Sequence, residues 1–347
     1  MKKGGCFFII LGALIVILTG CNKRSENINE TNVVEHKIQI GLSFDSFVIE
    51  RWMRDRDVFV STAKDLGAEV NVQNANGNVE EQKSQIEYFI KKKMDVIVVI
   101  AADSEECSDV LKKARDAGIK VVAYDRLLRN TNVDLYISFD NEEVGRLMAK
   151  TLIKEVPSGG NIITIFGPTT DNNVQLVEKG FSEIISESDL NVIYSVYAKN
   201  WMAEEAFQAI NEGLKIMRDI DGVLCGNDDF ASQAVRALSE NRLAGKVIVT
   251  GQDADLAACQ RIVEGTQTMT VYKPVDKLAK SAAEYAVKLA KNEKIEVSTT
   301  INDGSYEVPY VKLEPIAVTE KNIDTVIIDG GFHLKEDVYL NVLEEIE

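Results

Sequence analysis

The sequence predicts an α/β protein of two doubly wound lobes, each a mostly parallel sheet covered by helices on both faces. Three observations carry this. From Lys37 onward, short β-branched runs alternate with amphipathic runs of helical length, the pattern of repeated βαβ units. The same alternation then begins again in the second half. The chain is also 347 residues long, enough for two domains that each bury a core.

In the first half, KIQIGLS, EVNVQ, DVIVVIA, IKVVAYD and DLYISFD read as strands, with helices expected over 46–66, 79–92 and 104–117. Gly67 and Gly118 follow the first and third of these helices, where a left-handed cap favours glycine. In the second half the strands are NIITIFG, NVIYSVY, GVLCGN, KVIVTGQD and TMTVYK. Their helices are expected over 141–155, 173–186, 203–218, 229–241, 255–264 and 275–291.

In open sheets of this kind the ligand crevice lies beyond the carboxyl ends of the strands. There the sequence sets Asp125 and Arg126 after VVAY, Asp171 and Asn173 after ITIFGPTT, Asn227 after VLCG, Asp253 after VTGQ, and Lys273 after MTVY. A polyol needs carboxylates, amides and fixed cationic donors in pairs, because each hydroxyl both donates and accepts. Any one Asn or Asp after a strand also serves as a helix cap. Their recurrence at strand ends in both lobes is what points to a ligand.

The stretch ERWMRDRD holds Trp52 beside Arg51 among further charges. Trp52 heads a stripe with Phe59, Ala63 and Leu66, so it either extends the core line or stands at the crevice lip, where an indole covers the C–H face of a sugar. Trp201, in the loop YAKNWMAEE, has no stripe to join. One indole from each lobe would clamp a flat ring.

Composition excludes other classes. With 55 acidic and 39 basic residues the net charge is −16, which disfavours a nucleic-acid partner. The two histidines fall at 36 and 333, and no serine-hydrolase elbow, zinc-protease motif, P-loop or Cys–His pair is present in the sequence. No metal or cofactor is expected, and the run LCGNDD lacks the twelve-residue pattern of a calcium loop. Residues 1–20 have the layout of a bacterial export signal, and Leu18-Thr19-Gly20-Cys21 resembles a lipobox, so Cys21 is the expected lipidated residue at the head of a polar tether to 36. The alternative is a retained membrane anchor. Either way the body lies outside the cytoplasmic membrane. The remaining cysteines, Cys107, Cys225 and Cys259, are odd in number and lack metal-site spacing.

The strings ERWMRDRDVF, NANGN, AYDR, YISFDNEEVG, DNN, TGQDAD and GTQTMTVYKP closely resemble bacterial D-xylose-binding proteins, a group of two-lobed sugar-binding proteins. The resemblance runs from about Lys37 to His333 and departs at flanking positions such as FDSFV, YAKNW and GNDDF. It implies the type I periplasmic-binding-protein fold: two Rossmann-like lobes, 37–138 plus 275–310 and 139–274 plus 311–347, joined by three hinge crossings near 138–139, 273–274 and 308–315. It further implies xylose contacts at Arg51, Trp52, Asp125, Arg126, Asp171, Asn173, Trp201, Asn227, Asp253 and Lys273. The function implied is hinge closure on D-xylose and delivery to the permease of an ABC-type importer. Signalling to the extracellular domain of a sensor histidine kinase is the alternative, and chemistry on a sugar a third reading.

Overall fold

A computed structural model describes residues 37–342; the expected export signal over 1–20, Cys21, the tether to 36 and residues 343–347 lie outside the described residues. The first sheet contains β1 (Gln39–Phe44), β2 (Glu69–Asn74), β3 (Val96–Val99), β4 (Lys120–Tyr124) and β5 (Leu135–Phe139). The second contains β6 (Asn161–Phe166), β7 (Asn191–Tyr197), β8 (Gly222–Cys225), β9 (Ile248–Gln252) and β10 (Met269–Tyr272). Three later strands, β11 (Thr300–Asn302), β12 (Glu307–Leu313) and β13 (Ile316–Val318), complete the sheets. The orders are β11-β12-β5-β4-β3-β1-β2 and β13-β10-β9-β8-β6-β7. Within each, the five core strands run parallel in the same doubly wound order, and only β11 and β13 pair antiparallel. Central strands such as VIVV and LYISF are buried throughout, as strands covered on both faces must be.

The α-helices are α1 (Arg51–Asp65), α2 (Val79–Lys91), α3 (Ser108–Asp116), α4 (Asn141–Glu155), α5 (Asn172–Ile185), α6 (Glu204–Ile216), α7 (Asp228–Glu240), α8 (Leu256–Val263), α9 (Val275–Ala290) and the short α10 (Lys335–Val338). Gly67 and Gly118 adopt the expected left-handed conformation, with φ of 85° and 83°. The first helix starts five residues later than expected. Asp45 holds the preceding segment open: its carboxylate accepts from Ser46 N and pairs with Arg126 at 2.6 Å, while its carbonyl accepts from Gly77 N at 2.7 Å. The apolar stripe on α1 also ends early, since Leu66 is 42% exposed whereas Phe59 and Ala63 are buried.

The chain passes between the sheets three times, after β5, at Lys273–Pro274 between β10 and α9, and at residues 314–315. Strand β12 is paired with β5 through Leu313↔Phe139. That pairing places Phe139 and residues up to 313 in the first sheet, so the lobes divide after 139 and after 313 rather than after 138 and 310, with the last crossing inside the expected 308–315.

Helix α5 presents Asn173 to the crevice, with its N-cap Asp171 beside it, and its position depends on α4. A Cβ on Gly145 would lie 2.0 Å from Val177 O, and one on Gly180 would lie 1.9 Å from Glu142 O. Two glycines therefore let these helices approach backbone to backbone. Gly180→Ala is expected to lower stability by about 2–3 kcal/mol through overpacking, read as a lowered melting temperature, with an unchanged melt counting against this packing.

Candidate ligand-binding site

The loops at the carboxyl ends of both sheets meet around a small, tight cavity lined by Ile49, Arg51, Trp52, Asp125, Arg126, Asp171, Asn173, Trp201, Gln252, Asp253 and Lys273. None of these residues is more than 8% exposed. The structure thus brings together every residue expected at the site except Asn227. That side chain instead caps α7, its Oδ1 accepting from Phe230 N at 2.9 Å, and it does not line the cavity.

Two arginines organise the charges. Arg51 donates to Asp125 Oδ2 and lies 3.6 Å from Asp55 and 3.8 Å from Asp253. Arg126 pairs with Asp45 at 2.6 Å, with Asp171 at 2.7 Å, and donates to Ala101 O at 2.8 Å. The Arg126–Asp171 pair crosses from one lobe to the other. So does the hydrogen bond from Asn173 Nδ2 to Asp125 Oδ1, at 2.9 Å. Burial opposes the charge on both arginines, yet the surrounding carboxylates hold them above their ordinary range. Burial likewise pushes Asp125 upward, but Arg51, then Lys273, bring its carboxyl below its ordinary value. At Asp171 burial outweighs Arg126 and the carboxyl is raised.

The indoles occupy different settings. Trp52 is 2% exposed, meets Phe44 edge-on and carries the Arg51 guanidinium 4.2 Å above its ring. It extends the core line and lines the cavity at once. Trp201 ends a short turn after β7, 5.5 Å from Phe230 between ring centres, and its Nε1 donates to Asp171 at 3.3 Å. A Cβ on Gly167 would fall 2.4 Å from the Trp201 ring, so glycine clears the space for this indole.

Backbone strain concentrates at the same place. Asp125, Trp201 and Asp253 have φ of 62°, 56° and 96°, in the region that disfavours side chains. Each such residue costs about 1–3 kcal/mol, which surrounding structure must offset.

Five buried polar atoms on lining residues have no hydrogen-bond partner: Arg51 Nη1, Trp52 Nε1, Asn173 Oδ1, Gln252 Oε1 and Asp253 Oδ1. Asp253 Oδ1 stands 3.0 Å from Lys273 Nζ, close enough for charge pairing without an aligned hydrogen bond. Donors and acceptors are both represented, and each is costly to bury unpaired, by about 1–3 kcal/mol. A ligand rich in hydroxyls satisfies both kinds.

Three contributors are not among the expected site residues. Gln252 donates to Gly226 O at 2.5 Å, which aims its free oxygen at the cavity, and it immediately precedes the expected Asp253. Ile49 lies three residues before Trp52. Asp55, one of the further charges in ERWMRDRD, is 1% exposed, accepts from Tyr124 OH and backs Arg51. Its position four residues after Arg51 and four before Phe59 is the signal for that buried face.

Among the described residues, no group of His, Cys, Asp or Glu stands where it could hold a metal ion, and no helix is long and apolar enough to cross a membrane. Cys107, Cys225 and Cys259 are free and buried, and burial raises their thiols, Cys107 to about 12.

Residues 40–294 match the family described as periplasmic binding protein domain. A D-xylose-binding periplasmic protein of Haemophilus influenzae is 43% identical over 98% of this chain and 100% of its own length. Another of the same description, from Escherichia coli, is 43% identical over 89% of this chain and 95% of its own. A solute-binding protein of Clostridium phytofermentans, solved with bound β-D-glucose, superposes with a TM-score of 0.80 at 26% identity, covering 86% of this chain and 99% of that one. The chain belongs to the periplasmic binding proteins, and within them to the family of the D-xylose-binding periplasmic proteins. It is a binding protein rather than an enzyme.

Burial pushes the Asp55 and Asp228 carboxyls up to about 7, against the opposing effects of Arg51 and Arg261. A carboxyl raised in the folded state contributes stability that is complete below its unfolded value, near 4, and lost as pH rises through about 7. The ligand-free protein is therefore expected to be less stable at pH 8 than at pH 5.5, by on the order of 2 kcal/mol per group. Denaturant melts across this range test it: Asp55→Asn should reduce the slope, and an unchanged slope would contradict the assignment.

Proposed function

We propose that this chain binds D-xylose between its two lobes, with Arg51, Trp52, Asp125, Arg126, Asp171, Asn173, Trp201, Asp253 and Lys273 as contacts and Gln252 as a further acceptor. Asn227, whose side-chain oxygen caps α7 and which lies outside the cavity lining, is not among these contacts. The observation that carries this reading is the cavity itself: two indoles, one from each lobe, together with unpartnered buried donors and acceptors suited to hydroxyls. The relatives named for D-xylose share the family and nearly the full length.

The sugar bridges both lobes and so stabilises the closed arrangement by its differential affinity for it. Closure proceeds by rotation about the crossings near Phe139, Lys273–Pro274 and 314–315. Lipid on Cys21 anchors the protein to the outer face of the membrane, and the closed form delivers xylose to the permease of an ABC-type importer. The solved neighbours include a carbohydrate transporter solute-binding protein of Chloroflexus aurantiacus, 26% identical with a TM-score of 0.79.

Titration calorimetry of residues 22–347 with D-xylose is expected to show binding in the micromolar range or tighter; no binding would overturn the reading. Trp201→Ala is expected to weaken it by about 2–3 kcal/mol, roughly 30- to 150-fold, and an unchanged affinity would return Trp201 to a packing role. For the partner, cross-linking in native membranes with and without xylose should capture permease subunits in a sugar-dependent manner. Capture of a histidine-kinase ectodomain instead would assign the closed form to sensing.

A further inference from the structure

We propose that Ile49 selects the sugar by size, admitting an aldopentose and rejecting the aldohexose of the same stereochemistry. The inference rests on the pentose-binding reading above and adds the residue that sets the discrimination. Among the residues around the cavity, Ile49 is the sole aliphatic one; the others are charged, amide or indole. It is 6% exposed and belongs to the main apolar core, and its carbonyl accepts from Trp52 N at 3.2 Å. It is therefore backed by close-packed side chains and has little room to retreat.

The chemistry of a pyranose supplies the rest. With the two indoles taking its faces, the polar side chains surround its edge. D-Xylopyranose carries hydroxyls on four ring carbons, and the fifth carbon is a bare methylene. That methylene is the part of the edge needing no hydrogen-bond partner, and Ile49 is the part of the wall offering none. D-Glucose is D-xylose with a hydroxymethyl group on this carbon. Its added hydroxyl would be driven against Ile49, where it loses water and gains no donor or acceptor, and its added volume would meet a fixed wall.

The test is calorimetry of the wild-type protein, Ile49→Ser, Ile49→Ala and Ile49→Leu with D-xylose, D-glucose and 6-deoxy-D-glucose. Wild-type protein is expected to prefer xylose over glucose at least tenfold, and 6-deoxy-D-glucose to fall between them. In Ile49→Ser and Ile49→Ala the preference should shrink at least tenfold, mainly through gained glucose affinity; Ile49→Leu should retain it. Should the smaller variants fail to fold, the wild-type sugar series and Ile49→Leu still decide. Equal binding of xylose and glucose by the wild type, or an unchanged ratio in variants that retain xylose binding, would overturn the role of Ile49 alone. Wild-type protein that binds no xylose would overturn the pentose-binding reading with it.

Discussion

The site depends on removing ionised groups from water at the junction of two lobes. Arg126 and Asp171 pair across the cleft, Arg51 and Asp125 pair beside them, and all four are at most 4% exposed. Desolvating such charges costs several kcal/mol per ion unless each is paired and hydrogen-bonded. Pairing here is nearly complete within the protein, but Arg51 Nη1 and Asp253 Oδ1 lack hydrogen bonds. The arrangement is thus built for an additional polar occupant. Under the proposed function, a sugar whose hydroxyls complete these bonds would stabilise the closed state by its differential affinity for it.

The remainder of the fold serves this junction. Both sheets have the same strand order, so both direct the loops after their core strands to one crevice. Close approach of α4 and α5 through Gly145 and Gly180 holds Asp171 and Asn173 in place. Left-handed backbone at Asp125, Trp201 and Asp253 turns their side chains inward at a cost that the packed sheets beneath them offset. Behind Arg51, Asp55 and Tyr124 form a buried support, where burial pushes the Asp55 carboxyl up to about 7.

Much of this was legible in the sequence for a definite reason. Strands buried on both faces produce unbroken apolar runs, and VIVV or LYISF have no other simple explanation. Strand-end residues such as Asp125, Asp253 and Lys273 were legible because doubly wound sheets reserve those positions for ligands. Strands β11 to β13 were not. They are short, β11 is largely exposed, and Pro309 lies inside β12, a residue that argues against a strand. Asn227 looked like its neighbours at the strand ends, and a local capping bond took its oxygen. Asp55 was obscured by the solvated charges around it, since composition cannot distinguish a carboxylate facing Arg51 from one facing water.

The central claim is that a sugar bridging the two lobes holds them closed. Single-molecule energy transfer between dyes placed on opposite lips of the cleft, recorded through a xylose titration, tests it most directly. A short-distance population should grow in proportion to occupancy, with a longer-distance population dominant in the sugar-free protein. The same distance distribution at zero and saturating xylose, with binding verified in the same sample, would contradict it.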